Sequence, residues 1–261
     1  MESRTVFLMY HELEIAGRSF CHSEPGYVRY VISASDFRAQ MELLRNSGWQ
    51  GLSVSEALKF SLSPTVAITF DDGCETDLLI AVPILREQGF GATFYVTVGF
   101  LGRPGYLTAA QLREITNSGF EIGCHSLSHS YITDLDQAGL NREIVEARHE
   151  LEQILGEPVK HFSCPGGRYN QRILNTARLA GYCTVATSRA CANSTSTNQF
   201  ALGRVAVMRG TDLQKFEALC CGRGLWQLRI RDAFRQTAKR LLGNSTYDHV
   251  RSLILRRVGP R

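Results

Sequence analysis

The sequence predicts an α/β fold, on three observations. Short β-rich runs alternate with helical patterns along most of the chain. Several of those runs are continuously apolar, as parallel strands covered on both faces are. Polar motifs directly follow the runs, and in α/β folds the C-terminal ends of strands carry the active site. These features leave open whether the sheet closes into a barrel or is doubly wound.

In chain order the strand candidates are 5–10, 66–70, 92–96, 120–124, 160–164, 183–187 and 203–208. Helical patterns fill the intervals. Ser35 is placed to cap 36–47, which stops at Gly48, and Thr108 with Gln111 forms a capping box for 109–118. Within 135–155, Leu140, Ile144, Ala147, Leu151 and Ile154 recur at helical spacing and form one face. Asn170 caps 171–180, which stops at Gly181. The stretch 190–199 reads as an exposed polar loop, and no internal repeat is visible.

The chain has 261 residues, of which 44% are hydrophobic and 21% charged. That composition excludes a disordered or multi-span membrane protein. The net charge of +4 is unevenly spread: residues 223–261 hold 10 Lys/Arg against 2 Asp/Glu, leaving 19 against 23 in 1–222. The division is therefore a mildly acidic domain, 1–222, and a basic amphipathic helical tail, 223–261. In the tail Trp226, Ile230, Ala233, Phe234 and Leu241 share one arc, and Arg231, Arg235 and Lys239 lie opposite. The basic face is either solvated or a peripheral contact with an anionic membrane. No run near the N-terminus has the length of a signal-peptide core, so the chain reads as cytoplasmic, with the tail at the inner face of the membrane as the sharper alternative. Nothing in the pattern calls for nucleic acid. The eight cysteines form no C-x-x-C pair and read as free, mostly buried thiols.

Three segments carry chemistry. Thr69-Phe70-Asp71-Asp72-Gly73 puts adjacent carboxylates at the end of an apolar strand, where burial is costly unless they are paired or metal-bound. Neighbouring side chains diverge, so one Asp can bind a metal while the other stays free as a base; an ordinary Asp-Gly turn is the plainer alternative. His125-Ser126-Leu127-Ser128-His129 follows the strand at 120–124. In a helical turn its two imidazoles meet, and with a carboxylate they make three ligands with positions open for water or substrate. Phe162 to Asn170 contains Pro165-Gly166-Gly167, small residues that let a backbone N–H approach an anion, or simply turn the chain into a helix.

Taken together and in this order, TFDDG, HSLSH and the Pro-Gly loop resemble the polysaccharide deacetylase family, also called the NodB homology group or carbohydrate esterase family four. The resemblance spans roughly residues 5–210. It implies a distorted (β/α) barrel and a metal-dependent hydrolase that removes N-acetyl groups from an amino sugar in a polysaccharide or glycoconjugate. It implies one divalent ion, with Zn2+ the first choice and Co2+, Ni2+ or Mn2+ as others, held by Asp72, His125 and His129. Asp71 is then the general base, and a loop N–H, that of Gly166, helps hold the oxyanion.

Two departures stand out. Ser163 occupies the place of the family's Arg that orients the base, which leaves Arg168 or Arg204 to substitute. The late strand region 203–209 lacks the usual acid His. The segment Phe7 to Glu12 resembles an exopolysaccharide-linked subset whose last motifs are moved to the N-terminus, and the expectation is that His11 is the general acid and not a metal ligand. A same-fold amidase acting on a cyclic imide or other non-sugar amide, and an inactive carbohydrate-binding relative, are the alternatives; the presence of all three ligands and the base argues against the second.

Overall fold

The computed structural model describes residues 4–59 and 64–230. Eight parallel strands form one curled sheet: β1 (Val6–Tyr10), β2 (Gln50–Leu52), β3 (Thr65–Phe70), β4 (Thr93–Val96), β5 (Glu121–Cys124), β6 (His161–Ser163), β7 (Thr184–Ala186) and β8 (Val205–Ala206). The path runs β8-β1-β3-β4-β5-β6-β7, and β2 pairs with the start of β3. Leu202 bridges to Ala186 of β7, and Val205 pairs with Leu8 of β1, so residues 202–206 span the gap between the sheet's two ends. The result is the distorted (β/α) barrel that the resemblance implies. A two-stranded ribbon, Leu13–Glu14 with Ile32–Ser33, lies beyond β1.

Each strand is buried on both faces, with different contents. Outward, toward the helices, point Leu8, Tyr10, Ile68, Phe70, Phe94, Ile122, Phe162 and Val185, all in the main apolar core. Tyr10, Phe70 and Phe94 stack across three neighbouring strands with ring centroids 5.2 and 5.0 Å apart, and Phe37 meets the first two edge-on. Inward point Phe7, Ala67, Tyr95 and Ala186. Gly123 is obligatory here, because a Cβ on it would lie 2.4 Å from the Tyr95 ring. Polar inward residues close the N-terminal end: Glu121 accepts from His161 (3.0 Å) and Thr93 (2.5 Å), and His161 also meets Ser55 and Thr184.

The helices around the sheet include α1 (Ala34–Asn46), α2 (Val82–Gln88), α3 (Ala109–Asn117), α4 (Ala147–Leu155), α5 (Gln171–Leu179) and α6 (Leu213–Cys220). The Thr108/Gln111 capping box and the Asn170 cap are both present. The cap of α1 is Ser33 rather than Ser35, since Ser33 accepts the Asp36 N–H at 2.9 Å. The expected helix over 135–155 starts after Asp136 and passes through a π-helical stretch, Asn141–Glu146, before α4. Within the expected exposed loop 190–199, Asn193 is buried and exchanges hydrogen bonds with Gly203 at 2.8 Å. The cysteines are free, but Cys183 and Cys221 are exposed. Most of the tail, residues 231–261, lies outside the described residues. Among the described residues no helix is long and apolar enough to cross a membrane.

Candidate metal and catalytic site

The inward side chains at the C-terminal end of the barrel are polar, and the apolar layer of Phe7, Ala67, Tyr95 and Ala186 separates them from the polar group at the other end. Asp71 prolongs β3 by one residue, its N–H reaching the Tyr10 carbonyl at 3.0 Å. Asp72 then adopts φ 82°, a left-handed conformation uncommon for a residue with a side chain, and Gly73 follows at φ 80°. This reversal directs two consecutive carboxylates to different partners.

Asp72 turns toward the histidines. Its Oδ1 is 3.5 Å from His125 Nε2 and 3.6 Å from His129 Nε2. That oxygen is buried and accepts no hydrogen bond. The Nδ1 of His125 lies 2.9 Å from the Ser163 carbonyl, which can only accept, so the proton resides on Nδ1 and the Nε2 lone pair faces the carboxylates. Burial, with His129 beside it, lowers the His125 pKa to about 4, so the ring is neutral near pH 7. An orphaned buried carboxylate oxygen facing two imidazole nitrogens, all three donors within 4.8 Å of one another, fits a divalent cation of the zinc, cobalt or nickel type.

The two histidines meet without the expected helical turn. Ser126 and His129 have φ 69° and 60°, and the segment between them is an irregular loop. Glu143, buried on the π-helical stretch, holds that loop: its carboxylate accepts from the Leu127 and Ser128 N–H groups (3.1 and 2.9 Å) and from the Ser128 hydroxyl (2.6 Å). Nothing in the sequence pattern singled it out except that a carboxylate sits beside apolar Ile144.

Asp71 turns the other way, to Arg204. Two parallel hydrogen bonds join them, Nη1 to Oδ1 at 2.6 Å and Nη2 to Oδ2 at 2.8 Å. Arg204 is fully buried, and its remaining donors reach the Ser163 hydroxyl (2.7 Å), Thr69 (3.2 Å) and the Thr187 carbonyl (3.2 Å). Burial opposes charge on Asp71, but the guanidinium, then His125, outweigh it and hold the carboxyl well below the usual range. Of the two arginines the sequence left open, Arg204 therefore contacts Asp71; Arg168 lies over the Tyr131 ring at 4.0 Å.

His11 directly follows β1 and is half-buried, its ring 4.9 Å from that of Tyr30. Its Nδ1 is buried without a hydrogen-bond partner, and the ring is near enough to Asp71 to favour that residue's charge. Gly166 follows β6 at φ 59°; the N–H groups of Gly167 and Arg168 close the turn on the Cys164 and Pro165 carbonyls, leaving the Gly166 N–H outside those bonds. All six candidate residues thus come from the C-terminal ends of β1, β3, β5 and β6.

The polysaccharide deacetylase family model matches residues 61–185, the span from just before β3 into β7. Over that span the chain is similar to polysaccharide deacetylases. YxkH of Bacillus subtilis, assigned to the polysaccharide deacetylases, is 29% identical over 217 residues, covering 81% of this chain and 74% of that protein. A peptidoglycan-N-acetylglucosamine deacetylase of Bacillus cereus is 36% identical over 122 residues, 46% of this chain and 54% of its own length. The solved deacetylase PplD of Streptococcus pyogenes, in complex with acetate, superposes with a TM-score of 0.74 over 84% of this chain and 99% of that one, at 20% identity, a likeness of fold.

Proposed function

We propose that this protein hydrolyses the N-acetyl group of an amino sugar, with Asp72, His125 and His129 as metal ligands, Asp71 as general base, Gly166 as an oxyanion donor and His11 as general acid. The observation that carries the reading is the split of the Asp pair: Asp72 faces two imidazole nitrogens, while Asp71, 3.8 Å from His125 Nε2, is gripped by Arg204. A divalent ion at the first group would polarise an amide carbonyl and acidify a water. Arg204 keeps Asp71 ionised and fixed, so it is ready to accept the proton of an attacking water whenever substrate is present. The Gly166 N–H donates to the oxyanion as the carbonyl becomes tetrahedral. His11 holds a proton for the departing amine, which leaves poorly as an anion.

The amino-sugar reading is supported by the name of the peptidoglycan-N-acetylglucosamine relative and by the rings that flank the site. Phe100 lies 6.2 Å from the His129 ring, and Tyr30 against His11. Apolar ring faces beside a polar centre suit the alternating faces of a pyranose. The biosynthetic setting, an exopolysaccharide or other glycoconjugate, rests on the N-terminal segment through His11. The test is to load the protein with zinc, cobalt, nickel or manganese and incubate it with a panel of N-acetylated sugars and oligosaccharides, scoring released acetate. Acetate from at least one, lost in Asp71→Asn, is the expected result. Opening of a cyclic imide with no acetate from any sugar would overturn the reading.

A further inference from the structure

A second group of metal-type donors lies beside the first and shares none of its residues. Glu12 follows His11 at the end of β1, Cys74 ends the Asp71–Gly73 turn, and Cys21 comes from the loop between them in space. One ligand atom from each lies within 4.8 Å of the other two. Glu12 and Cys74 are buried; Cys21 is half-buried and closes the outer side.

The spacing is that of a metal's coordination edge. The sulfurs of Cys21 and Cys74 are 3.7 Å apart. Two thiolates bound about 2.3 Å from one tetrahedral zinc ion stand about 3.8 Å from each other. Glu12 is oriented before any ion arrives, its Oε2 accepting the Cys21 N–H at 2.9 Å and the Tyr27 hydroxyl at 3.0 Å. That hydroxyl also lies 3.4 Å from Cys74 Sγ, so a fourth donor atom stands at the same spot. Cys21 can reach in only because position 105 is glycine: a Cβ there would be 2.9 Å from its sulfur.

The surroundings are short of positive charge. Asp77, one turn beyond Cys74 and hydrogen-bonded through its N–H to the Cys74 carbonyl at 3.0 Å, is fully buried with neither carboxylate oxygen partnered. Arg18 stands at the rim, but it is bound to Glu75 at 2.7 Å and to the Gly105 carbonyl at 3.1 Å. A divalent cation supplies what these carboxylates lack, and paired thiols select a borderline or soft ion over magnesium or calcium.

We infer that Glu12, Cys21 and Cys74 form a second divalent-metal site, of the zinc type, with the Tyr27 oxygen or a water in the fourth position. Its ligands come from three separate segments and would pin the loop carrying Cys21 to the turn that carries Asp71 and Asp72. Such a site is structural and does not depend on the substrate proposed above.

Cobalt tests it without reference to activity. The full chain, reduced and stripped with a chelator, is titrated with Co2+ and followed for a near-ultraviolet sulfur-to-cobalt charge-transfer band, which the Asp72, His125 and His129 group cannot produce. Two equivalents bound per chain, with the band, are expected. Cys21→Ser, a change at a half-buried position, should bind one equivalent and lose most of the band; Glu12→Gln should keep part of the band and weaken binding at least tenfold. His129→Ala should retain the band at full strength. Absence of the band in the reduced wild-type chain, or its survival at full strength in Cys21→Ser, overturns the inference.

Discussion

Arg204 and Asp71 lie 133 positions apart in the chain and meet through two parallel hydrogen bonds inside the barrel, with both side chains almost inaccessible to water. Replacing the arginine leaves a buried carboxylate without its counter-charge. Arg204→Met is therefore expected to destabilise the protein by about 3–5 kcal/mol in urea denaturation. The double change Asp71→Asn with Arg204→Met should regain most of that stability while acetate release stays abolished. A double variant no more stable than the single one would show that the pair is not what the fold depends on there.

The proposed binding of a metal by Asp72, His125 and His129 has a direct readout. In a Cys21→Ser background, zinc content measured after chelation and reloading should fall from one equivalent to near none when His125 is changed to alanine. Asp72→Asn should weaken binding by at least tenfold, because the anionic ligand is lost while the shape is kept. Unchanged zinc content in both would remove these residues as ligands.

His11 is tested by its substrate dependence. His11→Ala should keep its metal and its fold and lose most turnover on an N-acetyl amide, on the order of 100-fold. On an acetate ester with a good leaving group, which needs little protonation, the loss should be much smaller. Equal losses on both substrates would assign the proton to another group.

Glu121 gives a pH-dependent stability at the far end of the barrel. Burial opposes its ionisation, but hydrogen bonds from His161, Ser55 and Thr93 prevail and bring its pKa from 4.5 down to about 2. A depressed carboxylate stabilises the fold above its unfolded pKa, and that contribution disappears as pH falls through the folded value. Glu121→Gln should cost about 2–3 kcal/mol at pH 7, with the gap to wild type narrowing below pH 4.5 and nearly gone at about pH 2. Denaturation curves across that range measure it; a gap constant with pH would place the effect in packing rather than charge.

The strands were readable because each is covered on both faces, so apolar runs such as Val66 to Phe70 stand out from their polar surroundings. The short motifs that carry the candidate site were readable for a related reason: Asp71, Asp72 and His125 directly follow such runs. Gln50–Leu52 was missed because three residues, one of them glycine, carry no periodicity. The helix containing Val82–Gln88 was missed because it opens through a π-helical segment into Val82-Pro83. Left-handed φ at Ser126 and His129 leaves no mark in residue type, so a helical turn was the natural expectation for that loop. The Asp71 partner was the least accessible feature. Ser163 stands where the family's arginine would be, and only the closure of the sheet brings Arg204 to it.

The ring stack on the outside of the sheet has a consequence for folding fidelity. Tyr10 and Phe70 each immediately precede a site residue, His11 and Asp71, and their rings lock together with that of Phe94 under Phe37. A strand displaced by one residue would exchange its two faces, driving the Asp71 carboxylate among those rings and a phenyl group into the lumen beside Arg204. Both errors are expensive, so a mispaired intermediate has little to hold it together. Assembly of the hydrophobic layer and placement of the reactive groups are in this way one decision, and a chain that has packed its aromatic rings has already aimed its carboxylates.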